Sequence, residues 1–249
     1  MGCFYAIGDI HGYLNKLEGA HALIALDRAE NAGFADAPVV HVGDYADRGP
    51  DVAGVLEHLM AGQAKGAPWI TLRGNHDRMM WLFLQDPALD DPVRPDLHWL
   101  EDRIGGRKTL ASYGVNAGHD RTVAAIHADA RAKVPQAHLD FIMSCPLWHD
   151  GGEVFFCHAG VRPGVDLHQQ DENDLVWIRD GFLNDQTDHG PLIVHGHTAI
   201  DEVTHYGNRL NIDTRAGYDG PLSVVAIDGR QVWQVTATGR VPVTPTPAQ

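Results

Sequence analysis

The sequence predicts an α/β fold in which mixed β-sheets are flanked by helices, with a helical insertion in the middle of the chain. Short apolar runs typical of buried strands alternate with stretches in which apolar residues have helical spacing. Polar segments that contain glycine directly follow several of the apolar runs. The alternation predicts parallel strand pairing, and we expect the closing strands to pair antiparallel.

The N-terminal part of the chain predicts three strands and two helices. Residues 4–7 form the first apolar run, and a helical pattern follows over about 13–28. A second strand is predicted at 39–42, with helical spacing of apolar residues over 52–59. Residues 69–72 give the third strand.

A mostly helical stretch from about residue 78 to residue 149 interrupts this alternation. No linker rich in Pro, Gly or Ser marks a boundary there, so we expect an insertion over the sheet within one domain spanning 1–239. Later strands are predicted at 154–157, 192–194, 209–212, 222–227 and 231–235. Residues 240–249 alternate Pro with small residues and predict a disordered tail.

The composition excludes several classes of protein. The chain has 249 residues, of which 44% are hydrophobic, so it is long enough to bury a sizeable core. A net charge of −14 argues against a nucleic-acid partner. No apolar run has the length of a membrane span, and the first residues lack the pattern of a signal peptide, so we expect a cytoplasmic protein without membrane contact.

Polar motifs follow five of the predicted strands. In open α/β sheets, ligands bind in the crevice outside the carboxyl ends of the strands, so motifs at five strand ends can converge on one point. The motifs are GDIHG at 8–12, GDYADRG at 43–49, RGNHD at 73–77, CHAG at 157–160 and HGHT at 195–198.

The side chains in these motifs match a metal site. Alternation along an extended chain puts Asp9 and His11 on the same side. Nitrogen and oxygen donors without thiolate suit Mn, Fe or Zn better than Ca or Mg. The six candidate ligands are too many for one tetrahedral ion but suffice for two ions about 3.5–4 Å apart that share a carboxylate. They are Asp9, His11, Asp44, Asn75, His158 and His197.

These motifs, in this order, resemble those of the calcineurin-like metallophosphoesterases. More narrowly, they resemble the phosphoprotein phosphatase branch, which includes bacterial and phage serine/threonine phosphatases and the symmetrical diadenosine tetraphosphatases. The matching residues run from Gly8 to Gly220, nearly the whole chain. The resemblance implies a calcineurin-like sandwich of mixed β-sheets that binds two divalent cations, Mn²⁺ in the first place and Fe or Zn as alternatives.

The resemblance also assigns the metal ligands. Asp9 and His11 would hold the first ion, and Asp44 would bridge the two ions. The second ion would be held by Asn75, His158 and His197.

Four further residues receive roles from the resemblance. His76 would be the general acid or would orient the attacking water, and Asp47 would fix its ring. Arg48 and Arg179 would bind the oxygen atoms of the phosphoryl group.

Three positions depart from the family patterns. Asp77 stands where the eukaryotic phosphatases have Glu. Ala199 follows the GHT motif, so the second histidine of the wider superfamily is absent, which counts against the nuclease-like and diesterase branches. Tyr218 lies where the eukaryotic enzymes have a Tyr-Cys-Gly loop, and both a substrate contact and a plain turn remain open there.

Two arginines directed at one phosphoryl group favour a phosphomonoester dianion, because each guanidinium can form two hydrogen bonds with it. The first hypothesis is therefore a protein phosphatase of the serine/threonine or tyrosine type, in which water activated between the metals attacks phosphorus in one step. Its substrate would be a phosphorylated protein or a small phosphorylated molecule.

There are two alternatives, one within the enzymes and one from another class. One is a dinucleoside polyphosphate hydrolase, with the aromatic residues of the insertion as its base-binding surface. The other is a metal-binding regulatory module without turnover, which hydrolysis after Mn loading would exclude. We interpret the aromatic residues as the core of the insertion; they are Trp81, Phe83, Trp99, Phe141 and Trp148.

Overall fold

The computed structural model describes residues 2–246, which form eleven strands and seven α-helices. In chain order the strands are β1 (Cys3–Ile7), β2 (Val39–His41), β3 (Trp69–Thr71), β4 (Trp148–Asp150), β5 (Val154–Cys157), β6 (Leu192–His195), β7 (Thr204–His205), β8 (Arg209–Asn211), β9 (Val224–Asp228), β10 (Gln231–Thr236) and β11 (Gly239–Pro242). The helices are α1 (Leu14–Glu30), α2 (Val52–Ala64), α3 (Asn75–Gln85), α4 (Gly106–Ser112), α5 (Val123–Lys133), α6 (Gln136–Ser144) and α7 (Glu172–Trp177).

The strands form two mixed sheets, which confirms the predicted fold class. The first sheet has the order β11-β10-β9-β1-β2-β3, and the second has the order β4-β5-β6-β8-β7. In the first sheet β1, β2 and β3 are parallel, and in the second β5, β6 and β8 are parallel. The closing strands β9, β10 and β11 are antiparallel, as expected.

Apolar side chains on both faces of the strands explain why two layers form. In β1, Phe4 and Ala6 point into the core between the sheets, whereas Tyr5 and Ile7 pack against the helices. This is the two-residue alternation of a strand, with both faces buried. The second sheet supplies Val154, Phe156, Leu192 and Val194 to the same inter-sheet core.

The helices cover the outer faces of the sheets. Helices α1 and α2 pack against each other, and α1 also contacts β9 and β10. Helices α3 to α6 occupy most of the stretch in which a helical insertion is predicted, and α5 and α6 both pack on α3. Within residues 2–246, no helix is both long and apolar enough to cross a membrane.

Residues 240–242, the start of the predicted disordered tail, belong instead to β11, which extends to Pro242 and pairs with β10. An edge strand tolerates proline, since one row of its backbone N–H groups has no partner strand. Arg240 donates to the buried carboxylate of Asp27, with Nη2–Oδ2 at 2.6 Å, and Tyr5 donates its hydroxyl to the same carboxylate at 2.6 Å. Residues 247–249, the end of the predicted tail, lie outside the described residues.

We expect Arg240→Ala to lower the free energy of unfolding by about 3 kcal/mol, because it leaves the Asp27 carboxylate buried without its cation. The side chains of Arg240 and Asp27 are only 14% and 4% exposed. The matched control is Arg230→Ala, because the pair of Arg230 with Asp188 is 46% and 74% exposed and should contribute about 1 kcal/mol or less. Urea denaturation measures the free energy of unfolding of both variants. Equally small decreases in the two variants would contradict a stabilising role for the buried pair.

Candidate metal centre

The polar segments after β1, β2, β3, β5 and β6 meet at one edge of the sandwich. The backbone N–H of His197, after β6, donates to Asp9 Oδ2, after β1, at 3.0 Å. The His158 ring, after β5, bonds through Nδ1 to the carbonyl oxygen of Val42, after β2, at 2.9 Å. These contacts join the carboxyl ends of the two sheets.

The backbone is strained where the polar segments leave the strands. Seven residues other than glycine have positive φ in the part of the chain that the structure describes, and most of them are predicted site residues. Such conformations persist only where surrounding contacts enforce them, and they concentrate at functional sites. The predicted site residues among them are His11 (48°), Asp44 (54°), Asp47 (74°), Arg48 (64°) and His197 (63°).

A carboxylate that the sequence analysis did not assign to the site holds two of these loops. Asp77, in the first turn of α3, accepts hydrogen bonds from the backbone N–H groups of Asp44, Tyr45, Ala46 and Gly74 at 2.8–3.0 Å. The signal for it in the sequence was its place in the RGNHD motif. Glycine at position 74 is required, because a Cβ atom there would collide with the Asp44 carboxylate.

One group of donor atoms gathers around the Asn75 side chain. Asn75 Oδ1 lies 3.0 Å from His158 Nε2 and 2.8 Å from His197 Nδ1, and Asp44 Oδ1 lies 3.4 Å from His158 Nε2. The other nitrogen of the His158 ring is bonded to a carbonyl oxygen, so Nε2 is the atom that faces the group. Donor atoms of Asp44, His158 and His197 are close enough together to hold one ion.

A second group contains His11, Asp44 and His76. His11 Nε2 lies 3.6 Å from Asp44 Oδ2, and the other ring nitrogen of His11 bonds to the carbonyl oxygen of Ala46 at 2.9 Å. Asp44 is common to both groups, which is the position expected of a bridging carboxylate. His76 is predicted as an acid and not as a ligand. It belongs to this group because its ring lies close to that of His11, with ring centroids 4.9 Å apart.

Asp9 belongs to neither group, but its carboxylate is part of the same buried cluster. Its Oδ2 accepts a hydrogen bond from the His197 backbone, and its Oδ1 has no hydrogen-bond partner among residues 2–246. Burial, and then the charges of Asp213 and Asp44, raise the pKa of Asp9 well above its ordinary value. A buried carboxylate oxygen without a donor, beside other carboxylates, is an atom that a cation would satisfy.

Burial and mutual proximity set the charge states of the other donors. Burial alone would raise the pKa of Asp44, but the imidazoles of His158 and His76 bring it below its ordinary value. Burial and the nearby Arg48 guanidinium lower the pKa of His11 well below its usual range. Burial also lowers the pKa of His197 well below that range. An ionised carboxylate and neutral imidazoles are the forms that bind metal, so the residues present fit divalent cations.

Beside the donor groups lie the predicted acid pair and the first arginine. His76 Nδ1 is 2.6 Å from Asp47 Oδ2. The Arg48 guanidinium lies between two rings, with Nη1 2.6 Å from His11 Nε2 and Nη2 3.0 Å from His76 Nε2. The ring of Tyr218 packs on this guanidinium, with its centroid 4.4 Å from the central carbon, so Tyr218 reaches the site through Arg48.

The second predicted arginine, Arg179, contacts the other donor group. It follows the end of α7, and its Nη2 donates to the carbonyl oxygen of His197 at 3.2 Å. All the predicted site residues therefore lie around the two donor groups. Sequence analysis missed Asp213, which is buried beside Asp9 and follows β8 just as the other site residues follow their strands.

The comparisons with known proteins agree with this geometry. A family model described as calcineurin-like phosphoesterase matches residues 4–226, and the chain belongs to that family. It is a metal-dependent phosphatase that hydrolyses phosphoesters.

Two curated relatives are similar along most of the chain. The asymmetrical bis(5'-nucleosyl)-tetraphosphatase PrpE of Bacillus thuringiensis (strain Al Hakam) is 23% identical over 243 residues, which cover 88% of each chain. The enzyme of the same name from Bacillus mycoides (strain KBAB4) is 23% identical over 239 residues, 87% of each chain.

Solved structures show the same fold. One, assigned as a diadenosine tetraphosphatase, has a TM-score of 0.61 at 18% identity and covers 98% of this chain and 94% of its own. Another, a cold-active protein tyrosine phosphatase, has a TM-score of 0.62 at 16% identity and covers 98% of this chain and 79% of its own. Identities this low support the fold and leave the substrate open.

We expect Asp44→Asn to reduce bound Mn²⁺ from two ions per chain to one or fewer, because the change removes the charge common to both donor groups. Asp47→Asn is the matched control, since Asp47 lies in the same loop but in neither group, and it should retain both ions. Elemental analysis after dialysis measures the content, with circular dichroism to verify folding. An Asp44→Asn protein that binds as much metal as the unaltered chain would refute a shared carboxylate.

Proposed function

We propose that this protein is a dinuclear-metal phosphomonoesterase of the serine/threonine or tyrosine protein phosphatase type. The observation that supports it is that two arginines, Arg48 and Arg179, each contact residues of the donor groups. Arg48 contacts His11 and His76, whereas Arg179 contacts the backbone of His197. A phosphoryl group bound at the donor groups would receive hydrogen bonds from both guanidinium groups.

Two divalent ions, Mn²⁺ in the first place and Fe or Zn as alternatives, would be held by the buried donors. Asp9 and His11 would bind one ion, Asp44 would be shared, and the three residues Asn75, His158 and His197 would bind the other. The donor distances and the unpartnered oxygen of Asp9 support this assignment. Bound metal would supply an activated water and would neutralise charge on the phosphoryl oxygens.

Two guanidinium groups favour a terminal phosphoryl dianion over an internal diester. A terminal group has three oxygen atoms free to accept hydrogen bonds, and Arg forms two parallel bonds to such a group. Arg48 and Arg179 would orient that group in the ground state and would stabilise its charge as the bond to the leaving oxygen breaks.

His76 would supply the proton that the leaving oxygen needs. Its Nδ1 lies 2.6 Å from the Asp47 carboxylate, so its Nε2 is the atom directed toward Arg48 and the donor groups. Asp47 would hold the ring in this orientation. The orientation of the ring supports this role over one in packing.

The names of the relatives favour a second candidate, a dinucleoside polyphosphate hydrolase. Such a substrate also carries a chain of phosphates that two arginines could bind. It would require a surface for a nucleobase near the site, and the half-exposed ring of Tyr218, which packs on Arg48, is the aromatic side chain best placed for it. The insertion residues Phe83, Trp99 and Phe141 are instead buried in the core.

A substrate panel with Mn²⁺-loaded protein separates the candidates. It contains phosphoserine and phosphotyrosine peptides, diadenosine tetraphosphate and bis-p-nitrophenyl phosphate as a diester. We expect kcat/KM for a phosphopeptide to exceed that for diadenosine tetraphosphate by about 10-fold or more, because the dianion engages both arginines. The reverse order would replace the proposal by the second candidate. If the protein hydrolyses no substrate faster than the Asp44→Asn variant does, both candidates are wrong.

A variant at Arg179 tests the second arginine. We expect Arg179→Ala to raise KM for a phosphopeptide about 10-fold and to lower kcat, because it removes a charge-assisted hydrogen bond made in both states. Metal content should not change. Arg230→Ala is the control, since Arg230 forms an exposed pair with Asp188 and should leave both constants unaltered. Unchanged kinetics for Arg179→Ala would remove Arg179 from the site.

A further inference from the structure

The carboxylate of Asp47 is fully buried, and two of the three side chains that donate to it come from the helical insertion. A buried carboxylate remains ionised only if hydrogen-bond donors replace the water it has lost. His76 is one donor. The others are Trp99, in the segment before α4, and Thr109, in α4.

Thr109 binds both the side chain and the backbone of Asp47. Its hydroxyl donates to Asp47 Oδ1 at 2.7 Å and accepts from the Asp47 backbone N–H at 2.9 Å. Asp47 has a φ of 74°, a conformation that needs such support. A hydroxyl suits this position because it can accept one hydrogen bond and donate another.

The indole of Trp99 completes the set. Its Nε1–H lies 3.0 Å from Asp47 Oδ1 and 3.1 Å from Oδ2, so it is shared between the two oxygens. The indole packs on Phe83 of α3, with ring centroids 4.9 Å apart, and is 3% exposed. Trp99 therefore has a fixed orientation. Sequence analysis interprets it as part of the core of the insertion, but its indole N–H also binds Asp47.

We propose that Trp99 and Thr109 are positioning residues, which hold the Asp47 carboxylate so that it orients His76. The inference rests on the proposed function in one respect, because it takes His76, oriented by Asp47, as the proton donor to the leaving oxygen. Together the donors fix the plane of the carboxylate, with Oδ2 facing His76 Nδ1. The opposite ring nitrogen then faces Arg48.

The insertion reaches the catalytic loop at a second point. Gly105, immediately before α4, has a φ of 103° and lies against the backbone of Arg48, where a Cβ atom would collide with the Arg48 nitrogen. The start of α4 thus packs on the peptide between Asp47 and Arg48. The insertion has a function beyond covering the sheet, since it sets the conformation of Asp47, which orients His76, and of Arg48, which adjoins the phosphoryl group in the proposed site.

The variants are chosen to remove one donor each with little change in shape. Thr109→Val removes the hydroxyl, and Thr109→Ser restores it. Trp99→Phe removes the indole N–H, and Trp81→Phe is its control, because Trp81 packs on the same core, whereas Trp99 is the tryptophan that donates to Asp47. Metal content and thermal unfolding are measured for each variant.

Kinetics give the first readout. A phosphoserine peptide has a poor leaving group that needs a proton, whereas p-nitrophenyl phosphate does not. We expect Thr109→Val and Trp99→Phe to lower kcat for the peptide about 10-fold with smaller losses for p-nitrophenyl phosphate, and KM should not change. Thr109→Ser and Trp81→Phe should keep the unaltered ratio of the two rates.

A second readout does not depend on activity. In zinc-loaded protein, which is diamagnetic, the His76 ring proton bonded to Asp47 gives a downfield proton resonance, assigned by its loss in His76→Asn. We expect this resonance to shift or to broaden by solvent exchange in Thr109→Val and Trp99→Phe, and to be restored in Thr109→Ser. A resonance unchanged in both variants would overturn the inference.

The Asp47→Asn background separates positioning from general packing. Substitution of a residue that acts through the carboxylate should cause no further loss of kcat once the carboxylate is gone. Thr109→Val and Trp99→Phe should therefore not lower kcat further in the Asp47→Asn protein. Losses that multiply in this background would show a packing role and would overturn the inference. If the unaltered protein hydrolyses no phosphoester, the proposed function fails, while the resonance still decides whether these residues hold Asp47 and His76.

Discussion

The buried carboxylate of Asp44 is the group on which the rest of the site depends. Its Oδ1 accepts from the His76 backbone at 3.0 Å and lies 3.4 Å from His158 Nε2, and its Oδ2 lies 3.6 Å from His11 Nε2. A charge in this position is costly unless cations or donors surround it. The left-handed backbone of Asp44 adds to that cost. Asp77 offsets it by accepting hydrogen bonds from backbone N–H groups of the loops after β2 and β3. The fold is thus arranged to keep one carboxylate where it would otherwise be unfavourable.

Neither sheet has a complete donor set by itself. The first sheet contributes Asp9, His11, Asp44 and Asn75, and the second contributes His158 and His197. The two sets meet because the apolar faces of the sheets pack together, with the parallel strands of both ending at the same edge. Packing between the sheets therefore determines the distance between the donors. A core substitution that altered the spacing of the layers would disturb the centre without touching any of its residues.

In the proposed site, specificity would depend on parts of the chain that lie around this frame. Arg179 comes from the turn after α7, and Tyr218 from the loop after β8, so both lie on connections that can change without altering the sheets. The insertion is different, because Trp99 and Thr109 reach the buried carboxylate of Asp47. A family with one metal centre can in this way act on different phosphoesters, since the rim varies while the donors stay in place.

The sequence by itself determined the main strands and placed the candidate metal ligands at their ends. These signals are local, since β5 is an unbroken apolar run and each polar motif directly follows a strand. Tertiary structure alone decided the division into two sheets and the short edge strands β4, β7 and β11, whose sequences WHD, TH and GRVP are not apolar runs. It also decided that Arg240 pairs with Asp27, and that Trp99 and Thr109 bind Asp47 from 52 and 62 residues away. Such contacts leave no periodic trace, because a hydrogen bond between distant residues depends on how the elements pack and not on the spacing of residues along the chain.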